Sequence, residues 1–169
     1  MNPVLTRWNA LDAESAAREV LPCCGSSAWA AQLAAKRPIT DEPSLLEASN
    51  ATWFSLPEQD WQQAFDSHPR IGQQHAASAT KQSLKWSSQE QSKANPDEAT
   101  KLALEQANRR YEEHFGRIFI LCATGKSASA ILNILETRMH NAPQTELREA
   151  AEQQRQITEL RLRRWLEST

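Results

Sequence analysis

Arg117-Ile118-Phe119-Ile120-Leu121-Cys122-Ala123-Thr124-Gly125 is the stretch of this 169-residue chain that resists a helical reading. It lies between Gly116 and Gly125, is rich in β-branched and aromatic side chains, and reads as extended backbone. A lone extended segment leaves N–H and C=O groups that must find partners elsewhere, and a ligand rich in donors and acceptors is one source. The alternative is a buried turn of helix, which periodicity alone does not exclude. The rest of the chain reads as helix. It has only four glycines, its prolines fall at element boundaries, and Ala, Leu, Glu, Gln and Arg dominate between them. The expected helices are 12–21, 27–36, 43–52, 57–66, 88–94, 97–115, 127–140 and 144–166. Pro43, Pro57 and Pro96 suit first-turn positions, and Gly116 and Gly125 suit ends and turns. Asp12, Ser26 or Ser27, Ser87 or Ser88, and Ser127 are the candidate caps. The expectation is an all-α fold over residues 1–169, a compact single-domain bundle of about eight helices with one short extended segment near 117–123.

Composition narrows the function classes. A formal net charge of −2 gives no reason to expect nucleic acid or an anionic membrane as partner. The longest apolar run, Ile118–Ala123, is far too short to span a bilayer. No secretory pattern opens the chain, and Glu167-Ser168-Thr169 is not a peroxisomal tripeptide. The three cysteines form no disulfide framework, and Cys23 and Cys24 are adjacent, awkward geometry for a bridge. Reduced thiols in the cytoplasm are expected.

The stretch richest in chemistry is Phe65-Asp-Ser-His68-Pro69-Arg70-Ile71-Gly72, followed by Ser87-Ser88-Gln89-Glu90-Gln91. Pro69 lacks a donor, fixes its own φ and pushes His68 out of the α region, so the imidazole sits at a rigid corner after a helix. An ordinary helix-terminating histidine reads equally well at this point. The second stretch adds a carboxylate, an amide and a hydroxyl, expected at the start of the next helix. Between the two, Gln73–Lys85 is polar and alanine-rich; it reads as a loop, either a lid or a plain surface connection.

At 100° per residue, Leu147, Ala150, Ala151, Gln154, Ile157, Leu162 and Trp165 share one side of the last helix, with Arg161 near the middle of that stripe. An inward arginine needs a strong acceptor, so Arg161 pairs either with Glu90 or with an anionic substrate. Arg148, Arg155 and Arg163 point elsewhere and read as solvated charge. In helix 97–115, Leu104, Ala107, Tyr111 and Phe115 form a stripe with Asn108 inside it. His75 and His114 read as surface residues, and His68 with His75 lacks metal-ligand spacing. Cys122 reads as a small core hydrophobe before it reads as a nucleophile. No phosphate-cradling glycine loop is present. The set that remains suits proton transfer, without a cofactor, on a small, polar, anionic molecule.

These residues together resemble the 2-oxo-4-hydroxy-4-carboxy-5-ureidoimidazoline (OHCU) decarboxylase family of urate breakdown. The resemblance begins with Asn9 and Ser27-Ala-Trp29…Arg37-Pro38, and runs through His68-Pro-Arg-Ile-Gly72 and Ser87-x-x-Glu90-Gln91. It continues with Asn108-x-x-Tyr111-x-x-x-Phe115-Gly116-x-x-Phe119, Cys122-Ala-Thr-Gly125-Lys126-Ser127 and Arg138-x-x-Asn141. Glu146 and Ile157-x-x-Leu160-Arg161-Leu162 complete it. Each motif alone is weak; their ordered combination is specific.

The resemblance implies an all-α enzyme that takes a small-molecule ureide substrate, uses no metal or organic cofactor, and works as a cytoplasmic homodimer. It implies His68 as acid/base, with Glu90 as the second catalytic residue. It also implies Pro69, Arg70, Ser87, Ser88, Gln89, Glu90, Gln91, Phe119, Ile120, Leu121, Cys122, Ala123 and Arg161 as substrate contacts. Two other readings stand beside it: a non-catalytic helical module that binds a ureide, and a hydrolase or isomerase acting on a related ring.

Overall fold

The computed structural model describes residues 1–71, 80–92 and 97–168. Among them the chain forms nine helices and no strand: α1 (Pro3–Asn9), α2 (Ala13–Cys24), α3 (Ser27–Ala35), α4 (Glu42–Ser55), α5 (Glu58–Asp66), α6 (Lys81–Glu90), α7 (Glu98–Phe115), α8 (Ala128–Arg138) and α9 (Pro143–Leu166). The all-helical expectation holds. Residues 118–123 are non-helical, as their composition predicts.

Most ends follow local chemistry. Asp12, Ser26 and Ser127 accept from the N–H groups of Ser15, Trp29 and Ala130, the cap roles expected of them. Gly116, with φ 74°, takes up the left-handed conformation that closes α7. Three elements differ from expectation. Helix α1 was not anticipated, although Asn2 caps it and Pro3 sits in its first turn. Helix α2 runs through Pro22 to Cys24, where the sequence predicts an end at residue 21. The proline forfeits one helical bond, the N–H that would reach the Arg18 carbonyl, and Gly25 closes the helix three residues on with its N–H on the Leu21 carbonyl, 2.8 Å away. Helix α6 spans Lys81–Glu90 instead of 88–94. Thr80 and Ser83 form a reciprocal capping box at its start, so Ser87 and Ser88 lie within the helix and are not its caps. Residues 81–85 of the expected loop are therefore helical, while Gly72, residues 73–79 including His75, and Pro96 lie outside the described residues.

Two compact units can be distinguished: Met1–Ala64 with Arg155–Thr169, and Phe65–Gln154. The first unit holds five of the six tryptophans. Trp8 and Trp165 meet edge to face, with ring centroids 5.5 Å apart. Buried indole N–H groups need acceptors: Trp8 donates to the Ala16 carbonyl at 2.9 Å, Trp29 to the Ser49 hydroxyl at 3.2 Å and Trp165 to Glu19 at 3.0 Å. The Arg37 guanidinium donates to the carbonyls of Trp8 and Leu11 at 2.7 and 2.8 Å, one in the last turn of α1 and one just past it.

The second unit packs Leu104, Ala107 and Tyr111 of α7 with Ile131 and Leu135 of α8 and with Phe119 and Leu121 of the extended segment. At its centre is an ion pair between Arg138 and Glu146, whose side chains are 6% and 0% exposed. Glu146 Oε1 also accepts the Tyr111 hydroxyl, and its Oε2 accepts Asn141 Nδ2 at 3.0 Å. Arg138 spends its remaining Nη1 donor on the Ile120 carbonyl at 2.7 Å and lies 4.5 Å from the centroid of the Phe119 ring. Burial, followed by the bond to Glu146, pushes the Tyr111 hydroxyl up, so it stays protonated and donating.

Removing one side of this pair strands a buried charge. Glu146→Leu is expected to cost about 3–5 kcal/mol, seen as a lower urea midpoint, against a much smaller loss for a surface change such as Glu136→Leu. A second expectation concerns acid. The capping carboxylates Asp12, Asp41 and Asp97 are held below their ordinary value by the N–H groups of Ser15, Ser44 and Thr100. Their stabilisation is complete above the unfolded value of about 3.9 and is lost as pH falls through the lower folded values. Thermal melts across that range are expected to show an acid limb, made shallower by changing all three to Asn, which caps without titrating.

Candidate active site

Helix α5 ends where the sequence places its corner: the His68 N–H closes on the Phe65 carbonyl at 3.1 Å, and buried Pro69 follows. The imidazole is half-buried, with Nε2 2.6 Å from Gln154 Oε1. The stretch Ser87–Gln91 closes α6 instead of opening a helix. Ser87 and Glu90, three residues apart, share its buried face; Ser88 and Gln89 are exposed; Gln91 is the half-buried C-cap. Glu90 thus sits at the negative end of a helix dipole, an expensive place for a buried carboxylate and one suited to gripping N–H donors.

Residues 119–123 are all buried, and the protein itself supplies several of their backbone partners. Besides Arg138 on the Ile120 carbonyl, Gln153 Oε1 accepts the Cys122 N–H at 3.0 Å. Lys126 donates its ammonium to the Cys122 carbonyl at 2.8 Å and its N–H to the Ala123 carbonyl at 3.0 Å. The missing strand partner is replaced by side chains from α8 and α9 and by a tight turn at Gly125. Burial pushes the Cys122 thiol up, Lys126 pulls against that, and the charge of Glu90 adds to the rise. Glu90 and the extended segment are therefore electrostatic neighbours. Successive amides on α9, Gln153 and Gln154, join that segment to His68. Within the second unit, then, two consecutive residues of α9 hold His68 and the extended segment, and the charge of Glu90 is felt at Cys122.

Arg70 stands apart from this group. Its side chain is 47% exposed, with Nε 2.9 Å from both Glu112 oxygens and Nη2 2.7 Å from one of them. Arg161, in the other unit, is 1% exposed as its stripe position predicts, and donates to the Pro22 carbonyl at 3.3 Å. Arg163 forms exposed pairs with Glu42 and Glu159. Sequence reasoning missed the roles of Gln153, Gln154 and Lys126. Gln154 carried a signal, a polar residue in the middle of an apolar stripe, and Lys126 stands in the Cys122–Ser127 motif, while Gln153 carried none.

Comparison with known proteins identifies the family. The family model described as OHCU decarboxylase matches residues 9–163. A curated relative, the uric acid degradation bifunctional protein TTL of Arabidopsis thaliana, is 36% identical over 142 residues, which is 83% of this chain and 44% of that protein. The chain thus spans less than half the length of that relative. A crystal structure of OHCU decarboxylase in the presence of (S)-allantoin is 33% identical, with a TM-score of 0.77 over 89% of this chain and 98% of that one. A structure of (S)-allantoin synthase, 18% identical with a TM-score of 0.70 over 95% of this chain and 53% of that one, shares the fold. The chain belongs to the OHCU decarboxylase family.

All three thiols are buried and unbridged, and burial pushes Cys23, Cys24 and Cys122 up. An aromatic disulfide at about pH 8 is expected to react slowly with native protein and to titrate all three thiols in denaturant. Fast labelling of Cys122 in native protein would restore it as a candidate nucleophile.

Proposed function

We propose that this protein decarboxylates OHCU to (S)-allantoin in urate breakdown, with His68 as acid/base. The observation that carries the proposal is the family match across residues 9–163, which includes every residue of the site. The geometry of the second unit supports it, because consecutive amides of α9 orient the imidazole and hold the ordered backbone of the extended segment.

The chemistry follows from the substrate's structure. One ring carbon carries both carboxylate and hydroxyl, and its neighbour bears the ureido group on a C=N bond. Breaking the C–CO2 bond sends its electron pair into that C=N system, and the ring nitrogen takes up a proton. The ring is its own electron sink. The hydroxyl then gives up its proton to become a carbonyl, and the C=C electron pair takes a proton at the ureido-bearing carbon. Delivery of that proton to one face yields one enantiomer.

The protein's task is to hold the C–CO2 bond roughly perpendicular to the ring and to move protons, and positioning of this kind is worth several kcal/mol. An imidazole whose ordinary pKa is about 6.5 exchanges protons readily near neutrality. Glu90 accepts from ureido or ring N–H groups. Ser87, Gln91, Pro69 and the backbone of 119–123 line the flat amide edges, with Ser88, Gln89 and Arg70 as outer contacts. The family resemblance adds Arg161, whose planar fork takes an anionic or carbonyl edge. Too tight a grip on the departing carboxylate would oppose CO2 loss, so a carbonyl is the better target. The resemblance also supports a cytoplasmic homodimer. No helix among the described residues is long and apolar enough to cross a membrane.

The test is circular dichroism of the allantoin formed from freshly generated OHCU. Unaided decay gives racemate, so handedness reports the enzyme where rate does not. A rapidly rising signal of the S form, abolished in His68→Ala, is expected. A flat trace matching the spontaneous reaction would sink the assignment and favour a ureide-binding module.

A further inference from the structure

We propose that Gln154 is a positioning residue that locks His68 in its Nε2–H tautomer, making Nδ1 the nitrogen that exchanges protons with substrate. The role rests on the decarboxylase reading above; the tautomer itself does not. Gln154 Oε1 can only accept a hydrogen bond, and it lies 2.6 Å from Nε2, so Nε2 carries the proton. In the neutral ring the lone pair is then on Nδ1.

The placement of this amide is unusual enough to need a reason. Gln154 is 0% exposed and lies on the apolar stripe of α9, between Ala150, Ala151 and Ile157. A leucine there would fill similar volume with no polar group to satisfy, whereas a buried amide is costly unless bonded. The neighbouring amide repeats the arrangement one residue earlier. Gln153 donates its Nε2 to Glu149 at 2.9 Å, which turns its Oε1 toward the Cys122 N–H. Two consecutive amides on one rigid helix thus set the imidazole and the extended segment relative to each other.

The acceptor suits a ring that must work in both directions. When Nδ1 takes the hydroxyl proton the ring becomes imidazolium, and Nε2–H stays bonded to the same oxygen. When Nδ1 gives a proton to carbon the ring returns to neutral without rotating. A carboxylate in place of the amide would favour the charged ring; an amide oxygen orients it with less bias between the two states.

The test pairs spectroscopy with kinetics. In 15N-histidine-labelled protein at a pH where the ring is neutral, long-range 1H–15N correlations of His68 are expected to show a protonated Nε2 and a pyridine-like Nδ1. Gln154→Leu should lose that pattern and lower kcat roughly 10²-fold with KM changed by about twofold or less. Gln154→Glu, which restores an acceptor at the same reach, should recover the Nε2–H pattern and a kcat above that of the leucine variant. A wild-type ring protonated on Nδ1 would overturn the proposal, even if the leucine variant failed to fold. A leucine variant with wild-type kcat would overturn it as well. Handed turnover with the Nδ1–H tautomer would remove this inference and leave the decarboxylase intact. The Nε2–H tautomer without handed turnover would remove the catalytic role together with the decarboxylase reading.

Discussion

The Glu146 carboxylate, buried among Tyr111, Arg138 and Asn141, is the constraint on which the second unit turns. It draws donors from α7, from the end of α8 and from the turn before α9. Through the last free corner of the Arg138 fork it also reaches the extended segment at Ile120. A buried ion pair is seldom a net source of stability, since well-packed apolar side chains of the same volume do as well or better. What it adds here is direction. An apolar cluster would tolerate sliding of residues 119–123 along their groove, whereas a planar guanidinium bonded on three sides allows one register.

That register matters because an extended segment without a ladder is the least self-sufficient part of an all-helical chain. Helices satisfy their own backbone; residues 118–123 depend on what surrounds them. The protein meets the need with side chains of different character: a guanidinium on Ile120, an amide on the Cys122 N–H, and an ammonium on the Cys122 carbonyl. Each comes from a separate part of the chain. The cost is borne by a polar network in the interior, and the result is a strip of ordered backbone tied to the same turn of α9 that holds the histidine.

Much of this was legible from sequence, and the reason is range. Caps at Asp12, Ser26 and Ser127, the turn at Gly116, the stripe on α7 and the corner at His68-Pro69 are all decided within a few residues. Arg161 was placed inward by 100° periodicity alone, and it is buried. Where local signals competed, the sequence reading failed. Ser87 and Ser88 are good capping residues in isolation, but the Thr80–Ser83 box starts α6 seven residues earlier, which turns Ser87–Gln91 from the opening of a helix into its close. Pro22 has the chemistry of a helix end, yet packing of the buried Cys23 and Cys24 carries α2 past it.

The sequence by itself determined the helical class, most helix ends, the isolation of the 117–123 segment and the identity of the residues with useful chemistry. It also carried the family, through an ordered set of motifs no one of which suffices. The tertiary structure decided which of those residues meet. His68 and Gln154 are 86 positions apart, and Cys122 and Gln153 are 31 apart. No periodicity, cap rule or spacing connects such pairs, because their contact is paid for by loop closure and by burial shared across the unit, not by any local preference. Gln154 shows the division most clearly: the helix rule said that it faces inward, and only the fold shows that it faces the imidazole.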